Sequence, residues 1–265
     1  MRAVWLTDIH LNFLSPVQLD RFYTLVRQQD ADCVLISGDI AEAPRLAWFL
    51  RQLHDRIQCP IYFVLGNHDY YSASFGEVHD LISDLVHENT RLEWLSSGGI
   101  HYLTPGIGLI GHDGWADGRY GDYDASPVML NDYVAIRDLA GLSKMERLQK
   151  LHAKGDDVAA YFREWLPKAL QSYEHVILIT HVPPYEIACW NNNQPADPYW
   201  LPHFACKAVG ETLSRIMEQH PQQQLTVLCG HTHSQVRVQI LPNLEVIVGG
   251  AIYGKPQIQQ VFNWL

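Results

Sequence analysis

The feature that most constrains this chain is an apolar run that stops abruptly at polar side chains able to bind metals or move protons. Residues 61–65 read Ile-Tyr-Phe-Val-Leu, and Gly66-Asn67-His68-Asp69 follow directly. A short, continuous apolar run rich in β-formers predicts a strand that is buried on both faces of a sheet. Since ligands bind beyond the carboxyl ends of strands in open α/β sheets, Asn67, His68 and Asp69 are expected at an active site.

The same pattern occurs four more times along the chain. The other runs, each with the polar residues that follow it, are 4–7 with Asp8 and His10, 33–37 with Asp39, 176–180 with His181, and 225–229 with His231 and His233. Three of the five runs turn through a glycine before the polar residue. Loop punctuation by chance would rarely place so many ligand types at strand ends, so we interpret the set as one site.

The order of these runs predicts an α/β fold. Strands at 3–7, 33–37 and 61–65 alternate with helical segments at 16–29 and 44–56. Such a β-α-β-α-β order indicates a parallel core with right-handed crossovers. Apolar runs on either side of turn residues predict hairpins at 100–110 and 235–248. A third helix is expected at 75–87, and further strands at 176–180 and 225–229.

The rhythm breaks after residue 110, where Gly, Asp and Tyr are frequent and no period is visible. A capping box formed by Ser143 and Glu146 predicts a helix start. A second helix is expected from Asp156, and Pro167 should kink or end it. We therefore expect one domain over residues 1–265, with an insertion at 113–170 that folds over the site as a partly helical cap.

Length, charge and cysteine content limit the class of protein. The chain has 265 residues and a formal net charge of −10, which disfavours nucleic acid and anionic membranes as partners. No apolar run approaches the ~20 residues that cross a bilayer, and the first strand begins too close to Met1 for a signal peptide. The five cysteines form no C-x-x-C pair. These features are typical of a soluble cytoplasmic protein with reduced thiols.

The strand-end residues form a ligand set of two aspartates, four histidines and one asparagine. They are Asp8, His10, Asp39, Asn67, His181, His231 and His233. Imidazole suits Zn, Fe or Mn, and the lack of cysteine argues against a closed structural zinc site. Seven ligands are too many for one open ion but suit two ions that share a carboxylate. Such a pair lowers the pKa of a shared water to about 7 and clamps a phosphate.

Several side chains near the insertion and after His181 are candidates for substrate contacts. Those favoured are His112, Trp115, Arg119, Tyr123 and Trp190. Aromatic rings beside amides and an arginine suit a base or sugar next to a phosphate. Packing between cap and core is the alternative role for the tryptophans, and a solvated surface position is the alternative for Arg119. A long insertion above a metal site favours a small substrate.

The motifs, taken together, resemble those of the calcineurin-like metallophosphoesterases. They are Asp8-x-His10, Gly38-Asp39, Gly66-Asn67-His68-Asp69, His181 and Gly230-His231-Thr232-His233, in this order. The resemblance implies a four-layer α/β/β/α sandwich and Mn, Fe or Zn as cofactors. The Gly-Asn-His-Asp form is similar to that of the branch containing bacterial cyclic-nucleotide phosphodiesterases. Asp39 is followed by Ile-Ala-Glu-Ala, which lacks the Asp-Arg-Gly stretch usual in protein phosphatases of this superfamily.

The resemblance also implies a role for each matching residue. It assigns Asp8, His10 and His233 to one ion, Asn67, His181 and His231 to the other, and Asp39 to both. His68 would stand beside the ions without binding them, and would stabilise the phosphate or protonate the leaving oxygen. Asp69 would support the loop.

We therefore expect a metal-dependent phosphoesterase with two divalent ions. It would hydrolyse a small phosphodiester or phosphomonoester by attack of a hydroxide that bridges the ions. One alternative is a non-catalytic scaffold with this fold, which should have lost ligands or His68, yet none is lost. A second alternative is a nuclease on single-stranded nucleic acid, which should show a basic track, and no Lys/Arg-rich segment is present. The sequence leaves the metal, the substrate and the oligomeric state open.

Overall fold

Thirteen strands and seven α-helices are assigned in a computed structural model, which describes residues 1–264. The strands are β1 (Arg2–Leu6), β2 (Cys33–Ser37), β3 (Ile61–Val64), β4 (Leu92–Trp94), β5 (His101–Thr104), β6 (Ile107–Gly111), β7 (His175–Ile179), β8 (Trp190–Asn191), β9 (Gln194–Pro195), β10 (Gln224–Cys229), β11 (Val236–Leu241), β12 (Leu244–Val248) and β13 (Gln260–Asn263). The helices are α1 (Pro16–Arg27), α2 (Ala43–Arg56), α3 (Phe75–Glu88), α4 (Asp132–Ala135), α5 (Lys144–Ser172), α6 (Leu201–Phe204) and α7 (Lys207–Glu218).

Two sheets with parallel centres and antiparallel edges form the middle of the protein. The first has the strand order β13-β1-β2-β3-β4, in which only β13 is antiparallel to its neighbour. The second has the order β11-β12-β10-β7-β6-β5, with β11 and β5 antiparallel at the two edges. Strands β8 and β9 pair in a separate short hairpin. The parallel strands of each sheet therefore bring their carboxyl ends together at one edge of the sheet.

The alternation of side chains along each strand builds the layers. In β1, Trp5 faces the second sheet and belongs to the same buried cluster as Ile177 of β7. Its neighbours Val4 and Leu6 point the other way, into the core formed with α1, α2 and α3. The outer face of the second sheet is covered by α5 and α7. These contacts give a four-layer α/β/β/α sandwich, so the expected fold class is confirmed.

The segment expected to be an insertion, residues 113–170, divides between two places in the fold. Its long helix α5 packs against β6, β7 and α7 on the outer face of the second sheet. Residues 130–132, just before and at the start of α4, instead lie beside Asn67 at the strand ends. This shorter part lines the cavity in front of the predicted site, and the start of the segment also reaches it, because the Asp113 carbonyl accepts a hydrogen bond from the His181 N–H at 2.9 Å.

The expectation of two helices in this segment was wrong, because α5 is continuous from Lys144 to Ser172. Gly155 does not break the helix; it allows close packing, since a Cβ there would overlap the side chain of Asp117. Pro167 lies inside the helix and leaves the carbonyl of Arg163 without its helical partner. Arg163 is exposed, so water can take that place. Burial of one helix face outweighs both local signals.

The helices and the cysteines bear on two further expectations, which concern membrane spans and disulfide bonds. Within residues 1–264, no helix is both long enough and apolar enough to cross a bilayer. The five cysteines are free, and all except Cys59 are buried. The buried ones act as small apolar side chains.

A core substitution in α5 tests whether this helix is packed on the second sheet as part of the hydrophobic core. Phe162 is fully buried between α5 and the second sheet, whereas its neighbour Arg163 is exposed. We expect Phe162→Ala to lower the free energy of unfolding by about 3–5 kcal/mol through lost burial and the cavity left behind. Arg163→Ala, the control, should change it by less than about 0.5 kcal/mol. Urea denaturation measures both, and equal effects would contradict this role of α5.

Candidate metal centre

All seven predicted ligands lie together at the carboxyl ends of parallel strands from both sheets. They follow β1 (Asp8, His10), β2 (Asp39), β3 (Asn67), β7 (His181) and β10 (His231, His233). Asp8, His10, Asp39 and His181 are almost completely buried, whereas His233 remains partly exposed. The site therefore sits where the two parallel centres meet.

The loops that present these side chains have unusual backbone conformations. Five of the seven ligands adopt a positive φ, between 39° and 72°: Asp8, His10, Asp39, His231 and His233. Such conformations are uncommon outside glycine and cluster at functional sites, where surrounding contacts hold them. Here the holding contacts are backbone hydrogen bonds between neighbouring loops, from Asp8 N–H to Gly38 O and from His10 N–H to Asp39 O, each 3.0 Å. These hydrogen bonds hold the strained loops in the conformations that direct the ligand side chains into the site.

Four side chains form a first cluster. His233 Nε2 lies 3.3 Å from Asp8 Oδ1 and 3.3 Å from His10 Nε2. His10 Nε2 is in turn 3.6 Å from Asp39 Oδ2. One ligand atom from each of the four residues falls within 4.8 Å of the others, which is compact enough for a single ion.

A second cluster adjoins the first and shares Asp39 with it. Asn67 Oδ1 lies 3.0 Å from His181 Nε2 and 2.9 Å from His231 Nδ1. His181 Nε2 is 3.5 Å from Asp39 Oδ1, the other oxygen of the carboxylate that meets the first cluster. Asp39 thus faces one cluster with each oxygen.

The hydrogen bonds around the second cluster show that it fits a cation. His181 Nδ1 is 2.8 Å from the Ser37 carbonyl and His231 Nε2 is 3.0 Å from the His203 carbonyl, so each ring donates its proton there. The opposite ring nitrogens then present lone pairs, and both point at the Asn67 oxygen, which is itself an acceptor. Acceptors that converge in this way repel one another unless a positive ion lies among them.

The electrostatics of the site point in the same direction. Burial raises the pKa of Asp39 well above its usual value, and the nearby Asp8 carboxylate raises it further. Burial also acts to raise the pKa of Asp8, but a hydrogen bond with His233 and the surrounding imidazoles bring it below the usual range. Burial lowers the pKa of His181 to about 4, which leaves a neutral ring. Two buried carboxylates beside neutral imidazoles suit divalent ions.

The glycines of the motifs are required by close contacts with the ligands. A Cβ on Gly66 would overlap Oδ1 of Asp39, and a Cβ on Gly230 would overlap Oδ2 of Asp8. Each glycine therefore lets the backbone of one loop touch the ligand carboxylate of another. Asp69 links the same loops, because it accepts hydrogen bonds from the backbone N–H groups of Ile40, Ala41 and Gly66 at 2.7–2.8 Å.

His68 lies beside the clusters and contributes no atom to either. Its backbone N–H donates to Asp39 Oδ1 at 2.9 Å, and its ring stacks on Tyr71 with centroids 4.3 Å apart. Nε2 lies 3.4 Å from the hydroxyl of Tyr253. Burial, followed by the neighbouring imidazoles, lowers the pKa of His68, and a phosphate anion beside the ring would raise it again. The residue is thus held at the edge of the site, facing the cavity.

Asp132 lies at the candidate site and was not singled out by the sequence analysis. Its Oδ1 accepts hydrogen bonds from Asn67 Nδ2 at 2.8 Å and from the Tyr71 hydroxyl at 2.7 Å. The first bond fixes the amide of Asn67 so that Oδ1, and not the NH₂ group, faces His181 and His231. Contacts of this kind orient metal ligands. No local signal marked Asp132, because its partner is 65 residues away in the sequence.

Asp113 joins the two sheets behind the site, a structural role that its place in the sequence did not predict. Its buried carboxylate accepts hydrogen bonds from the Leu65 N–H, the Trp94 indole, the Ser96 hydroxyl and the Tyr70 hydroxyl at 2.6–2.9 Å. Leu65 directly precedes the Gly66-Asn67 turn, so Asp113 fixes the end of that strand. A fully paired carboxylate of this kind is structural rather than reactive.

A cavity of about 750 Å³ opens in front of the clusters. Its walls beyond the ligands are mainly amide and aromatic side chains, among them Asn191, Asn192, Asn193, Trp200, Phe204, Tyr253 and Gln257. The segment between β7 and α7, which contains β8, β9 and α6, supplies the first five. The cavity is large enough for a small organic phosphate ester.

The five side chains expected to contact the substrate do not line this cavity. His112 is packed against Tyr161 with ring centroids 4.9 Å apart, and Trp115 is packed against Phe75 at 5.1 Å. Both rings belong to the cores behind the site. The alternative role of core packing therefore describes Trp115.

Arg119, Tyr123 and Trp190 also have partners elsewhere. The guanidinium of Arg119 binds the carboxylates of Asp117 at 2.9 Å and Asp156 at 2.8 Å, so its charge is already neutralised. Tyr123 is buried, and Trp190 donates its indole N–H to a carbonyl in its own loop. These positions do not support a substrate contact at Arg119, because Asp117 and Asp156 hold its guanidinium away from the cavity.

Two facing sheets whose strand ends gather imidazole, carboxylate and amide ligands define a metal-dependent phosphoesterase. The chain belongs to the calcineurin-like phosphoesterase family, whose sequence profile matches residues 1–235. The family assignment predicted from the motifs is thereby confirmed. No curated protein sequence matches the chain.

Three solved structures have a similar fold. Phosphopantetheinyl hydrolase (PptH) from Mycobacterium tuberculosis is similar with a TM-score of 0.67 and 14% identity, covering 95% of this chain and 89% of that one. A dimetal phosphatase from Danio rerio has a TM-score of 0.60 and 14% identity, with 97% and 89% coverage. The protein TT1561 of Thermus thermophilus has a TM-score of 0.52 and 16% identity, with 94% and 88% coverage. At these identities the likeness establishes the fold alone.

The role of Asp132 can be tested through metal affinity. In Asp132→Asn the new amide can satisfy Asn67 in either orientation, so Nδ2 of Asn67 can turn toward the two histidines. We expect metal affinity to fall roughly 10–100-fold. Asp124→Asn, which makes the same charge change at an exposed position, is the control. Isothermal titration with Mn²⁺ measures both, and identical affinities in the two variants would contradict the role.

The close contact at Gly230 gives a second test. Gly230→Ala would drive a methyl group against Asp8 and the Thr7 hydroxyl. We expect it to lower the free energy of unfolding by roughly 1–3 kcal/mol and to weaken Mn²⁺ binding at the first cluster. Gly76→Ala, at a helical glycine with open space around it, should not destabilise the protein. Isothermal titration measures Mn²⁺ binding, and a Gly230→Ala variant that binds Mn²⁺ with wild-type affinity and stoichiometry would contradict this prediction.

Proposed function

We propose that the protein hydrolyses a small phosphodiester or phosphomonoester with two divalent ions, of Mn, Fe or Zn, held by the adjoining clusters. The observation that carries the proposal is Asp39, whose two carboxylate oxygens each face a different cluster. When bound, the ions would make water nucleophilic at neutral pH and offset the charge that develops on the phosphate. We assign Asp8, His10 and His233 to one ion, Asn67, His181 and His231 to the other, and Asp39 to both.

The protein side chains then have distinct tasks. The ligand loops hold the ester against the floor of the cavity, so that water attacks in line with the departing oxygen. The imidazole of His68 stands at the cavity wall and makes no hydrogen bond to the ligand atoms of either cluster. It is therefore free to donate a hydrogen bond to the phosphate or a proton to the leaving oxygen. Stacking on Tyr71 and the contact with Tyr253 fix the orientation of its ring.

The two alternative functions find less support. A non-catalytic scaffold has no need of strained ligand loops, yet five ligands have positive φ and His68 faces the cavity. A nuclease needs cations along the path of a polyanion. Among the described residues that line the cavity, none is a lysine or arginine. A small ester of low charge is the substrate that this surface favours.

Substitution of His68 separates metal binding from catalysis. Because His68 supplies a proton but no ligand atom, His68→Gln should keep wild-type Mn²⁺ stoichiometry while kcat falls roughly 10²–10⁴-fold. Asp39→Asn should lose both metal and activity. His87→Gln, at an exposed histidine of α3, is the matched control. The assay is p-nitrophenol release from bis(p-nitrophenyl) phosphate and p-nitrophenyl phosphate by Mn²⁺-loaded protein.

Two results would contradict the proposal. The first is no turnover of either ester by wild-type protein that carries two Mn²⁺ ions. The second is Asp39→Asn binding metal as the wild type does. A fall in Mn²⁺ stoichiometry in His68→Gln would instead contradict the role given to His68 alone.

A further inference from the structure

A second cavity, of about 640 Å³, lies next to the first on the other side of His68. Four side chains line both cavities and form the boundary between them: His68, Tyr71, Asn131 and Tyr253. The proposed proton donor therefore stands between two spaces rather than at the end of one. A single bound ester could extend into both.

The two spaces differ in chemistry. The first, here called the amide lobe, is lined beyond the ligands by the amide side chains of Asn191, Asn192, Asn193, Gln235 and Gln257, and also by Trp200. Its side-chain amides can donate and accept hydrogen bonds, and so suit a polar, uncharged group.

The second space, here called the apolar lobe, is lined mainly by Phe13, Tyr71, Val134, Ala135 and Tyr253, and its polar lining consists of Glu42, His68, Ser72 and Asn131. Phe13 and Tyr253 pack edge to face with centroids 5.1 Å apart, and both are about half exposed. Val134 is 71% exposed at the rim. Apolar side chains left open beside an active site gain free energy when a ligand covers them.

Charge excludes one class of substrate from both lobes. Neither lobe has a lysine or arginine among its described lining residues, whereas Asp39, Asp132 and Glu42 do line them. The metal ions can neutralise the reacting phosphate. A further anionic group on either arm of the substrate would meet carboxylates and no cation, which is costly in a confined site.

We propose that the substrate is a phosphodiester with two uncharged arms, a hydrogen-bonding arm in the amide lobe and an apolar arm in the apolar lobe. This inference rests on the proposed function and narrows it. A monoester has one arm and would leave one lobe filled with water alone. The diester fills both and places its phosphate at the clusters.

The position of His68 also assigns the bond that breaks. Water attacks phosphorus, and the P–O bond to the apolar arm is cleaved, because that oxygen lies on the His68 side. The leaving oxygen takes a proton from His68 and departs as an alcohol. The hydrogen-bonding arm keeps the phosphate as a monoester, and the proton released by the attacking water restores His68.

Three esters with a common p-nitrophenol signal test the proposal. They are thymidine 5′-(p-nitrophenyl phosphate), with one hydrogen-bonding and one aromatic arm, bis(p-nitrophenyl) phosphate, and the monoester p-nitrophenyl phosphate. For Mn²⁺-loaded wild type we expect kcat/KM for the thymidine diester to exceed that for the monoester at least tenfold. The bis-aryl diester should fall between the two.

Variants in each lobe should change these ratios separately. Val134→Asp places a charge in the apolar lobe. We expect it to lower the ratio of kcat/KM for the bis-aryl diester to kcat/KM for the monoester at least fivefold. Val17→Asp makes the same change at an exposed valine of α1 that lines neither lobe, and should leave the ratio unchanged. Asn192→Asp should lower kcat/KM for the thymidine diester relative to kcat/KM for the bis-aryl diester. Circular dichroism checks that all three variants fold.

The outcomes separate this inference from the proposed function. Faster turnover of the monoester than of either diester would overturn the two-lobe substrate but keep the phosphoesterase. Unchanged ratios in both Val134→Asp and Asn192→Asp would do the same. If the loaded wild type hydrolyses none of the three esters, the proposed function fails, and this inference with it.

Discussion

The buried carboxylate of Asp39 is the interaction on which the rest of the site depends. It faces the first cluster with one oxygen and the second with the other, and it also accepts the backbone N–H of His68. Gly66 lacks a side chain because a Cβ there would overlap the same carboxylate. A single buried charge therefore sets the separation of the clusters, the position of the proton donor and the identity of a motif glycine. Such a charge is stable only with cations beside it.

Sequence reasoning reached the ligands because their signal is local. A buried strand followed by a polar residue can be identified within ten residues of chain, and five such units gave all seven side chains that the structure brings together. Asp132 gives no such signal, since its partner Asn67 is distant in sequence and the contact depends on how α4 is placed. The same limit explains the five expected substrate contacts. An aromatic ring or an arginine has the same sequence appearance whether it meets a ligand or, like Arg119, a carboxylate of its own fold.

The fold was predicted at the level of its layers, with errors where packing overrides local preference. Strands β4 and β13 have three and four residues and were not predicted, because edge strands so short carry little periodicity. From the sequence, the residues of α5 divide into two helices at Asp156, and Pro167 is expected to kink or end the second. The structure keeps α5 whole because its apolar face, with Phe162 and Leu166, is buried against the second sheet. Propensity is a weak prior where a long face is covered.

The acidity of the protein bears directly on how an anionic ester can bind. The formal net charge is −10, and the described residues of the two lobes offer carboxylates but no lysine or arginine. Two divalent ions would outweigh the two negative charges of Asp8 and Asp39, so the floor of the site becomes attractive to phosphate only when metal is bound. Attraction is then confined to a few ångströms around the ions, since the walls repel further negative charge. A site built in this way binds one phosphate strongly and discriminates between esters by their uncharged parts.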